Sequence, residues 1–187
     1  MGKILIIGNK QIDNDELINL KINEFDKVIR INRFNNIKET TDRFDIWFVD
    51  IHPGFYKLFN PTSLNKYKKS IKEVYLNLPS YENKNYIKAL LPKSKIIKTN
   101  VSNIKLYNED DHIKFGFNET NKCRPTTTII AISYFIELFK NDEIYIYGVD
   151  VFDRKNNYNE LGYHKNSASL EENYLNYLID TNKIKIL

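Results

Sequence analysis

Between Lys122 and Asp153 the chain reads KCRPTTTIIAISYFIELFKNDEIYIYGVDVFD, and two features of this stretch can hold a ligand. Pro125 followed by Thr126, Thr127 and Thr128 opens a helix, because threonine can cap the free N–H groups and proline is tolerated at the first turn. A helix N-terminus lined with hydroxyls binds anions. The run from Ile129 to Phe139 continues as a largely apolar helix that Asn141 and Asp142 end. Glu143 to Tyr147 then alternates as a strand, and Gly148-Val149-Asp150 stops it at the edge where open α/β sheets carry their ligands. Taken alone, a capped helix packed on a core strand accounts for the same residues.

Other familiar chemistries find no support. Gly8-Asn9 lacks the further glycines of G-x-G-x-x-G, and no Walker A lysine motif occurs, which argues against dinucleotide dehydrogenases and P-loop enzymes. Asp45 and Asp50 are too far apart for an Asp-x-Asp metal motif. Cys123 is the sole cysteine, so neither an intrachain disulfide nor a thiolate zinc site can form, in keeping with a reducing cytoplasm. His52 and His112 read as loop residues, and His164 in a Gly-Tyr-His-Lys loop is by itself an ordinary surface histidine.

The elements that must position these groups alternate. Lys3 to Ile7, Lys27 to Asn32, Phe44 to Asp50, Val74 to Leu78, Lys95 to Thr99, Glu143 to Tyr147 and Lys183 to Leu187 read as strands. Helices are expected over Asp13 to Asn23, Tyr56 to Ser70, Asn83 to Leu91, the central stretch above and Ser169 to Asp180. Tyr107 to Cys123, with Phe115 and Phe117, reads as a loop over the site. The pattern predicts a single α/β domain with a mostly parallel sheet covered by helices on both faces.

Composition agrees with a globular chain: 187 residues, 42% hydrophobic, 28% charged. The net charge of +4 is compatible with an anionic substrate or a nearby anionic membrane, but it is no concentrated basic face for nucleic acid. The apolar segment in MGKILIIGN is too short for a signal peptide, and no run approaches the length of a membrane span.

Five segments, in order, resemble sialyltransferases of the bacterial lipooligosaccharide type (glycosyltransferase family 42), with kinship to the eukaryotic and viral family 29. They are IIGN at Ile6 to Asn9, FDKVIRINRF at Phe25 to Phe34, RPTTT at Arg124 to Thr128, EIYIYGVDVF at Glu143 to Phe152, and GYHKNSASLEENYLNYLIDTNKIKIL at the end of the chain. The resemblance implies a Rossmann-like, GT-A-like domain over residues 1–187 with a short lid around 151–168. It implies a CMP-sialic acid type donor and direct, inverting transfer to a glycan hydroxyl, with no metal and no further cofactor. Asn9 and Asn32 would contact the nucleotide, Thr126 and Thr127 the donor carboxylate, and Asp150 the nucleotide or its neighbours. Tyr158, ten positions after Gly148, would hydrogen-bond the departing phosphate. His164 would be the general base, a task suited to an imidazole. Such an enzyme would decorate a cell-surface glycan from the cytoplasmic side, peripheral to the inner membrane, and a homo-oligomer is compatible with it.

The chain departs from that pattern in three places. Phe152 stands where the bacterial family has a second leaving-group tyrosine, Thr128 replaces the glycine of the carboxylate turn, and the stretch between Tyr158 and His164 is shorter than the family's lid. These departures keep open another CMP-linked keto-sugar acid as donor, and a CMP-sugar or nucleotide-binding module without catalysis. The dipole of the last helix can by itself explain Glu171 and Glu172, although family 29 also has a Glu near its histidine.

Overall fold

Four successive apolar residues, Ile4 to Ile7, are all buried, which is the signature of a strand covered on both faces. The computed structural model describes residues 1–8, 21–31, 43, 45–50, 72–77, 99–102, 115–117, 125–149 and 167–187. Its strands are β1 (Lys3–Ile7), β2 (Lys27–Ile31), β3 (Ile46–Asp50), β4 (Glu73–Asn77), β5 (Thr99–Ser102), β6 (Glu143–Tyr147) and β7 (Lys185–Ile186). They form one sheet in the order β5-β4-β3-β2-β1-β6-β7, and every pairing is parallel. Two helices are described, α1 (Thr127–Leu138) and α2 (Ala168–Asp180). The fold is therefore α/β with a parallel sheet.

Parallel register sends alternate residues to alternate faces. Ile4, Ile6, Ile29, Ile31, Ile46, Phe48, Ile144 and Ile146 form the core with α1 and α2. Phe135 of α1 meets Phe48 and Tyr75 edge-on, with ring centroids 5.8 and 5.4 Å apart, so the helix crosses β3 and β4 on its way back to β6. From α2, Tyr174, Leu175 and Leu178 join the same core. The opposite face, with Leu5, Ile7, Val28, Arg30 and Trp47, is buried too. The expected helices over Tyr56 to Ser70 and Asn83 to Leu91 lie outside the described residues. Of Asp13 to Asn23 only the end is described, where Ile22–Glu24 forms a short 3-10 turn rather than an α-helix.

The fifth strand is described over Thr99–Ser102; of the expected Lys95 to Thr99 only Thr99 lies within the described residues. Phe115 and Phe117 belong to the core rather than to a loop over the site. Phe117 is buried, and Phe115 stacks edge-on against Tyr174 with centroids 5.0 Å apart. Two aromatic rings within three residues, facing a helix with Tyr174 and Tyr177, bury more apolar area there than a solvated loop would allow.

Candidate functional site

All the strands being parallel, their carboxyl ends share one edge. The chain steps outward from β1 through β5 and then returns to place β6 on the other side of β1. The order thus reverses between β1 and β6. Loops leaving two such strands diverge, and the crevice between them is the usual ligand position in open α/β sheets.

Glycines finish both strands there. Ile7 pairs with Tyr147, and the Gly8 N–H donates to the Tyr147 carbonyl oxygen at 2.8 Å. A Cβ on Gly8 would collide with the Gly148 carbonyl oxygen and lie 3.0 Å from its carbonyl carbon. Gly148 has φ +63°, a left-handed conformation that suits glycine. The IIGN and YGVD segments are therefore neighbours across the switch point, a relation neither segment reveals alone. Asn9 follows Gly8 in the chain, Asp150 follows Val149, and Asn32 follows the last residue of β2. These three, with Tyr158 and His164, lie outside the described residues.

The helix N-termini reach the same edge. The turn after α1 brings the Glu143 N–H onto the Gly2 carbonyl, at the start of β1. α1 thus runs antiparallel to the strands, and its 12 residues, about 18 Å, match the depth of the sheet. Thr126 is the residue before the helix, and Thr127 its first residue, half-buried. Thr128 is buried in the interior.

Thr126 does not cap its own helix with its hydroxyl, as its type led one to expect. Its backbone N–H donates to Glu171 Oε1 at 2.7 Å and its hydroxyl to Glu171 Oε2 at 3.2 Å. The Ser167 hydroxyl donates to the same Oε1 at 3.4 Å. Glu171 is fully buried, so the helix-dipole explanation of this residue is incomplete: its carboxylate joins α2 to the start of α1. A signal for this was present. Glu171, Tyr174, Leu175 and Leu178 follow the i, i+3, i+4, i+7 spacing of a buried helical stripe, which puts the carboxylate on the inner side. Glu172 is half-buried one step around the helix.

The arrangement is a reversal of strand order between β1 and β6, a helix N-terminus at the same edge, and an internal carboxylate paired with that terminus. Among the described residues, no group of three His, Cys, Asp or Glu side chains could hold a metal ion, and no helix is long and apolar enough to cross a membrane. No protein-family model and no curated protein sequence matches this chain.

Proposed function

We propose that the chain is a glycosyltransferase of sialyltransferase type, a Rossmann-like domain of the GT-A-like kind with a reduced lid. It transfers sialic acid, or a related keto-sugar acid, from a CMP-linked donor to a glycan hydroxyl. The observation that carries this reading is the reversal of strand order between β1 and β6. The two segments whose motifs resemble the family's nucleotide-contacting turns, IIGN and YGVD, are those that end these two strands.

In this reading the donor spans the carboxyl edge. Asn9, Asn32 and Asp150 contact the nucleotide, and the start of α1 faces the sugar carboxylate. Thr126 turns its N–H and hydroxyl to Glu171, and Thr127 with the first-turn N–H groups faces that carboxylate. His164 takes the proton of the acceptor hydroxyl as its oxygen attacks the anomeric carbon. The bond from that carbon to the phosphate oxygen breaks with inversion, CMP leaves with the electron pair, and Tyr158 hydrogen-bonds the departing phosphate. A single domain acting on a membrane-borne glycan from the cytoplasm, peripheral to the membrane, suits the mildly basic charge.

Nucleotide binding tests the reading first. A ligand at 100 times its Kd adds about 2.7 kcal/mol of stability, so CMP should raise the melting temperature where ADP, GMP and NAD do not. Asn32→Ala should weaken CMP binding by roughly 1–3 kcal/mol. Mass spectrometry of CMP-sugars incubated with simple glycosides then looks for transfer. CMP binding with neither transfer nor donor hydrolysis would leave the non-catalytic binding module, and no CMP response at all would sink both.

A further inference from the structure

We draw no further inference here: the strongest candidate, the buried side-chain cluster of Glu171, Thr126 and Ser167 between the starts of α1 and α2, belongs to the site already described, and its hydrogen bonds, made within the cluster, point to no ligand beyond it.

Discussion

At the amino edge of the sheet, aspartates close the strand starts: Asp142 accepts the Gly2 N–H at 2.6 Å, Asp26 the Lys3 N–H at 2.7 Å, and Asp45 the Val28 N–H at 3.0 Å. At the carboxyl edge, β1 and β6 end on glycines that meet backbone to backbone, and the helix N-termini point there. Carboxylates bonded to the chain's own amides make the first edge self-contained. The second edge combines the reversal of strand order with positive helix ends, a place and a polarity that favour anions in open α/β sheets. Both edges use the same chemistry, an acidic oxygen on a backbone N–H. Among the described residues, only at the carboxyl edge does one such carboxylate, Glu171, also join two helices.

The largest effect that would test this contrast is expected at His164. An alcohol is a poor nucleophile near neutral pH, so His164→Ala should cut transfer by about 10²–10⁴-fold while CMP binding stays nearly unchanged. The wild-type rate should rise with pH as the general base loses its proton. His52→Ala and His112→Ala serve as controls, with rates within a factor of a few. Near wild-type turnover in the His164 variant would remove the catalytic assignment.

Gly8→Ala attacks the glycine contact itself. Its methyl would collide with the Gly148 carbonyl, and relieving such overpacking typically costs about 1–3 kcal/mol. Denaturant unfolding should show that loss, and CMP affinity should fall in the folded fraction. Full stability with full affinity would mean the two strand ends are not held as described.

Asp45→Asn is the counterpart at the amino edge. It removes the charge and leaves one acceptor oxygen where the Val28 N–H and the Lys72 ammonium, 2.6 Å away, used two, and should lower stability by about 1 kcal/mol without changing CMP affinity. Lys72 is largely exposed, so solvent screens that pair and keeps the loss small. Burial raises the Asp45 pKa, but the bonds from Lys72 and Val28 and the nearby Arg43 outweigh it, and the net shift is downward from 3.8. A lowered folded-state pKa stabilises the fold above the unfolded value and loses that contribution as pH falls through the folded one. The stability gap between wild type and Asp45→Asn should therefore be steady above pH 3.8 and shrink below it. A gap that widened in acid would contradict the assignment.

The smallest expected effect is a gain. Phe152→Tyr restores the hydroxyl that the resembling family uses on the leaving phosphate. Transfer should stay equal or rise by up to about tenfold, the worth of one hydrogen bond. A large loss in a stable variant would mean that the spacing after β6 differs from the family's.

What the sequence by itself determined is the elements with strong period and clear punctuation. The unbroken apolar run in β1, the alternation in β6 and the stripe of α2 place those elements within a residue or so, because backbone geometry and burial impose their periods locally. The α/β class and its parallel sheet follow from that alternation. The glycines of IIGN and YGVD were legible as strand ends. Their contact was not, since nothing local records that β6 returns to the flank of β1. The direction of the Thr126 hydroxyl was equally hidden: threonine before a helix suits a local cap, and a buried carboxylate 45 residues along the chain outcompeted that cap. Strand order, the Gly8–Gly148 contact and the Glu171 joint are relations between distant residues. Only packing of the whole chain decides them, because each pairing is chosen against every other use of the same surfaces.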